Sequence, residues 1–132
     1  MRPLATLHRK QWNDHEYSIL HVRGTGLNNH NSSFIYVDDN VLLDDAFYIG
    51  LYLAILDRRD LSLVHSGYYN TSIHGPDKTE AGFIDDFKYS HDMAEEIKKY
   101  DYNYFVVVVS QYQWENFFSK ELGEVLANCG AF

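Results

Sequence analysis

The chain has little with which to cross-link itself. Its 132 residues include one cysteine, Cys129, so no intrachain disulfide can form. A reducing compartment explains this simply, yet it does not exclude secretion, since a domain of about this length buries enough core without covalent staples. Basic charge is scarce too: eleven Lys and Arg stand against nineteen Asp and Glu, a net charge of −8. The tight basic pairs are Arg9-Lys10, Arg58-Arg59 and Lys98-Lys99. A nucleic-acid partner requires clustered cations that displace counterions from phosphate, so none is expected. No apolar run approaches the roughly 20 residues that span a bilayer, so no membrane insertion is expected either. Residues 1–10 hold no apolar leader core. Either the protein works inside the cell, or its leader and flanking domains lie outside this sequence.

The marks of catalysis are equally sparse. Gly24-Thr25-Gly26 suggests a phosphate loop, but the dinucleotide pattern needs a third glycine and a helix directly after it, whereas Asn-rich sequence follows. A glycine turn between strands fits better. The seven histidines (His8, His15, His21, His30, His65, His74 and His91) form no His-His pair at helical or strand spacing, and no metal is expected. Asp38, Asp39, Asn40, Asp44 and Asp45 form an acidic patch without calcium-loop spacing, which reads as a solvated turn. Ser66-Gly67 follows His65, but no Gly-x-Ser-x-Gly elbow exists. No carboxylate pair is singled out by spacing as an acid and base couple. The expectation is a non-enzyme with no cofactor.

What the chain does have is aromatic surface and clear patterning. Aromatics make up 16% of it, with eleven Tyr and eight Phe. Tyr joins apolar area to a polar tip, so it serves both cores and interfaces. Residues 1–16 read as a polar N-terminal arm and 17–132 as one domain. Strands are expected over 16–23, 33–37 and 41–43, with a tight turn at Asp38-Asp39-Asn40. Residues 46–56 (AFYIGLYLAIL) are the most apolar stretch, expected to be central or covered on both faces. With the polar turn at 57–60 and the run at 61–65 they predict a β-hairpin. A long connection covers 67–87, pinned by Tyr68, Tyr69, Phe83 and Phe87. Ser90 is the expected N-cap of a helix over 91–100, with Lys98-Lys99 in its last turn. Residues 104–109 (YFVVVV) predict a buried strand, and 116–129 a second helix with Gly130 as the left-handed residue past its end. Cys129, on that helix's apolar face, is expected to be a buried small hydrophobe, and the helix C-terminus disfavours its thiolate. Trp114 either caps the core or stands out as a contact residue.

The order of these segments resembles the interleukin-like EMT-inducer (ILEI, or PANDER-like) domain family. The resemblance is carried by Gly50-Leu51-Tyr52-Leu53-Ala54-Ile55-Leu56-Asp57, then Leu61-Ser62-Leu63-Val64, then Tyr69-Asn70-Thr71, followed by the helix, β-branched strand and helix. Asn31-Ser32-Ser33-Phe34-Ile35-Tyr36-Val37 looks like the family's entry strand, so the match covers about 17–131. Three departures stand out: Tyr69-Asn70 replaces the family's Phe-Asp, Gln111-Tyr112-Gln113 replaces its acidic residue, and its closing strands are missing. The resemblance implies an α+β fold, a β-sandwich-like core of mostly antiparallel strands flanked by two helices. It also implies an extracellular or cell-surface, non-catalytic recognition role, with carbohydrate or a protein surface as ligand. One relative is the carbohydrate-recognising stem domain of a glycosyltransferase. The expected contact residues are Tyr68, Tyr69, Tyr112 and Trp114, with Arg58 as a polar partner. The alternatives are a structural subunit of a larger assembly (filament, capsid or cell-surface coat), completed by β-augmentation, and an enzyme of unknown class.

Overall fold

Alternation of apolar and polar side chains, and its loss in the central strand, sets the architecture. The computed structural model describes residues 10–12, 15–26, 31–44, 48–73, 75 and 87–130. Three antiparallel sheets and two helices make up this part: β1 (Lys10–Trp12), β2 (His15–Tyr17), β3 (Leu20–Arg23), β4 (Phe34–Val37), β5 (Asn40–Leu43), β6 (Gly50–Asp57), β7 (Leu63–Tyr69), α1 (Lys88–Ile97), β8 (Tyr104–Gln111) and α2 (Lys120–Asn128). β1 and β2 form a small hairpin inside the stretch expected to be an unpatterned arm. The front sheet runs β3-β4-β5 and the central sheet β7-β6-β8, so the fold is α+β with sandwiched sheets.

β6 earns its central place by having two apolar faces. Leu51, Leu53 and Ile55 point to one side and pack with Met93, Ala94 and Ile97 of α1 and Leu122, Val125 and Leu126 of α2. Ala54 and Leu56 point to the other and pack with Ile35 and Val37 of β4 and Val107 and Val109 of β8. A strand covered on both faces loses its alternation, which is why residues 50–56 read as a continuous apolar run. The expected covered stretch began at 46, but Tyr48 and Ile49 precede the strand and are exposed, and 46–47 lie outside the described residues. Both helices lie on the face of the central sheet away from the front sheet. Among the described residues, no helix is long and apolar enough to cross a membrane.

A buried polar knot joins the two sheets. After β3 the chain passes the end of β8, where Thr25 N–H donates to the Ser110 carbonyl at 2.7 Å and Tyr112 N–H donates to Thr25 Oγ1 at 2.9 Å. Ser33 N–H and Oγ–H both reach Gln111 Oε1 at 2.8 Å. Thr25 and Ser33 are buried, so their polar groups need these partners. Gly24 belongs to this knot: a Cβ there would lie 3.2 Å from Ser110 N.

Several expectations are corrected. The expected long connection begins later, because β7 continues through Tyr69; Phe83 lies outside the described residues. α1 starts at Lys88 with Phe87 in the cap position and no side-chain cap, and it ends at Ile97. Ser90 is instead buried inside the helix, where its Oγ–H donates to the Phe117 carbonyl at 2.5 Å and ties α1 to the segment before α2. α2 starts four residues later than expected, at Lys120, because Ser119 caps it by accepting from Leu122 N–H at 3.0 Å. Gly130 takes the expected positive φ, at 89°. Cys129 is exposed, since α2 ends at Asn128 and carries it past the packed face. Partial burial still pushes its thiol pKa up.

Candidate functional site

Strand register fixes where the expected contact residues can go. Gly50 pairs with Gln111 and Asp57 with Tyr104, so Arg58 and Tyr112 lie just beyond opposite ends of the β6–β8 ladder, which is itself about 23 Å long at roughly 3.3 Å per residue. Arg58 stands over the Phe105 ring at 4.2 Å and donates to the Tyr102 carbonyl. Tyr112 follows the last residue of β8 with φ of 60°. Trp114 is half-buried, packs on the helix-side core, and meets Phe118 edge-on at 5.2 Å. Its carbonyl accepts from Thr71 Oγ1 at 2.5 Å. Trp114 thus acts as a lid on the core. Arg58 and Trp114 line two separate hollows, of about 450 and 410 Å³, which share Val106 and Cys129.

Tyr68 and Tyr69 are neighbours in sequence and therefore point to opposite faces of β7. Tyr69 packs against the helix-side core, and burial, then Glu96 and Asp92, raise its pKa. Tyr68 lies on the other face, opposite Tyr52 of β6, with ring centroids 4.9 Å apart. The structure therefore does not gather these five residues into one site.

A different cluster forms around Tyr68. Its hydroxyl donates to the Ile49 carbonyl at 2.5 Å. The Tyr52 hydroxyl accepts from Tyr48 N–H at 3.0 Å and donates to the Tyr48 carbonyl at 2.8 Å. Two tyrosines of the sheet thus clasp the backbone of 48–49 from below. Above them the Tyr48 ring, 64% exposed, lies 5.8 Å from the Tyr68 ring. Desolvation, then the neighbouring tyrosines, push the Tyr68 pKa up to about 12, and desolvation leads the rise at Tyr52. Both hydroxyls stay protonated at neutral pH and keep donating.

Gly50 makes this arrangement available. Its φ is 139°, and a Cβ there would lie 2.5 Å from the Tyr69 carbonyl oxygen. Beside the cluster an open hollow of about 250 Å³ is lined by Leu42 and Leu43 of β5, Leu63 and Ser66 of β7, and Tyr52 and Tyr68. An exposed ring on a backbone held by hydrogen bonds, next to an apolar hollow, can accept a flat or aliphatic ligand group at reduced ordering cost.

Sequence reasoning missed Tyr48 and Tyr52 because they sit inside the apolar run of 46–56. The signal was present: Tyr52 breaks the aliphatic pattern of β6, and Gly50 marks where the chain turns before it. The outer face of the front sheet was missed as well. There Phe34 and Tyr36 stack at 4.8 Å, His21 meets Phe34 edge-on at 4.9 Å, and the Arg23 guanidinium covers Phe34 at 4.8 Å. These rings use their flat faces on one another. No protein-family model matches the chain, and no curated protein matches it.

Proposed function

We propose that the protein is a non-catalytic recognition module of extracellular type that binds carbohydrate or a protein surface through the Tyr48, Tyr52 and Tyr68 cluster. The observation that carries this reading is the clasped, exposed Tyr48 ring. Exposing a large ring to water is unfavourable, and fixing its backbone with two hydrogen bonds removes freedom that a ligand would otherwise have to remove. A sugar ring would stack on the Tyr48 face, and an aliphatic side chain would fill the hollow against Leu42 and Leu63. The apolar lining favours the protein partner. The test is a glycan array probed with the whole chain and with Tyr48→Ala. Selective binding lost in the variant supports a carbohydrate ligand. Selective binding that survives the substitution refutes this site.

A second reading, a structural subunit of a larger assembly, is favoured by one observation. Among the described residues β8 borders its sheet, with Thr25 hydrogen-bonded at its end to Ser110 and Tyr112, and it carries no charged residue over eight positions, Tyr104–Gln111. Sheet borders are commonly protected by charge or proline. Light scattering across a concentration series separates the readings: growth in mass with concentration favours assembly, and a constant monomer mass opposes it.

A further inference from the structure

α1 and α2 bring three metal-ligating side chains to one point on the helical side of the molecule. His91 and Glu95 lie four residues apart on α1 and so share one face of it. Glu121 lies in the first turn of α2, across the seam that Ser90 and Phe117 close. His91 Nδ1 is 2.8 Å from Glu121 Oε1, and one ligand atom from each of the three residues lies within 4.8 Å of the others. The two carboxylates also share a cationic neighbour. Lys98 Nζ already sits between the two carboxylates, 3.0 Å from Glu95 Oε1 and 3.7 Å from Glu121 Oε2.

We propose that His91, Glu95 and Glu121 form a binding site for a divalent transition-metal ion of the zinc type. One imidazole nitrogen and two carboxylates are a donor set that zinc accepts, at bond lengths of about 2.0–2.2 Å. A tetrahedral ion then needs its ligand atoms about 3.4 Å apart. Rotamer changes in the two glutamates, about half exposed, would bring the separations, now from 2.8 Å up to 4.8 Å, to that value. Calcium and magnesium prefer all-oxygen sites, so the imidazole selects against them. Three protein ligands leave a fourth position open to water or to a group from a partner. The ion would cross-link the two helices at their solvent face.

Lys98 is the internal competitor for this site. Its ammonium must leave for the ion to enter, and surface ion pairs of this kind hold it weakly. The site therefore predicts opposite effects from neighbouring substitutions. Isothermal titration of the full chain with zinc chloride at neutral pH is the test, with circular dichroism to confirm the fold of each variant. Even outer-shell losses weaken metal binding by about 10–100-fold, so His91→Ala and, independently, Glu121→Gln should weaken it at least tenfold. Lys98→Met should tighten it. Cobalt substituted for zinc should give visible absorption bands that His91→Ala loses. Absence of saturable binding below about 1 mM overturns the assignment. Equal affinity in the wild type and in a folded His91→Ala or Glu121→Gln variant does so as well.

Discussion

Replacing Tyr52 by Phe tests the clasp beneath Tyr48 with the least disturbance. The ring remains, and so does its 4.9 Å contact with Tyr68. What goes is the hydroxyl that both receives the Tyr48 amide hydrogen and donates to the Tyr48 carbonyl. A net hydrogen bond contributes about 0.5–1.5 kcal/mol, so two contribute about 1–3. Tyr48 is exposed, and water replaces part of what is lost. The expected cost is therefore about 1 kcal/mol, read by urea unfolding with an unchanged slope. Hydrogen exchange gives the local measurement. The Tyr48 amide should be protected in the wild type and should exchange about fivefold faster in the variant, since about 1.4 kcal/mol corresponds to tenfold. The central-strand amides should shift only by the change in global stability. If the wild-type Tyr48 amide exchanges freely, or if the variant leaves its rate unchanged, the clasp is not formed in solution and the case for an exposed ring on a held backbone fails.

Three other outcomes follow from the same geometry. Tyr68 should ionise near pH 12, not near the ordinary 10, when followed by tyrosinate absorbance. Its folded pKa lies above its unfolded one, so its stabilising contribution is complete below about pH 10 and is lost as pH rises toward 12, a dependence that Tyr68→Phe should remove. Ser90→Ala should cost about 1–3 kcal/mol in chemical denaturation, because it removes a buried hydroxyl that donates to the Phe117 carbonyl and accepts from Ser119 N–H. Gly50→Ala should cost about 2–5 kcal/mol, combining left-handed strain with a clash against the Tyr69 carbonyl, and a loss below about 1 kcal/mol would refute the assigned turn.

The fold was legible where the physics is local or one-dimensional. Continuous apolar sequence marked β6 as covered on both faces, and β-branched sequence marked β8. The turn at Asp57 to Asp60 and the left-handed Gly130 were legible for the same reason. Element ends were less so, because tertiary partners decided them. Ser90 has a good capping side chain, yet the Phe117 carbonyl claims its hydroxyl and the helix begins earlier. Ser119 was passed over as a cap because the aromatic run before it obscured the helix start. The site was least legible. Whether two tyrosines converge depends on register, and the pairing of Tyr52 with Tyr68 is written in no single segment. The same holds for Glu121, which meets His91 only because two helices separated by a whole strand pack side by side.

The central position of β6 also dictates an order of events during folding. Its hairpin partner β7 follows after a short turn, so that pairing closes a small loop and forms early. Its other partner, β8, arrives about fifty residues later along the chain, as the pairing of Ile55 with Val106 requires. Until then one side of the most apolar strand in the protein has no neighbour, and a nascent chain leaving the ribosome waits in that state for several seconds at about 5–20 residues per second. The strand that organises the finished molecule is therefore the one most exposed to misassociation while the molecule is being made.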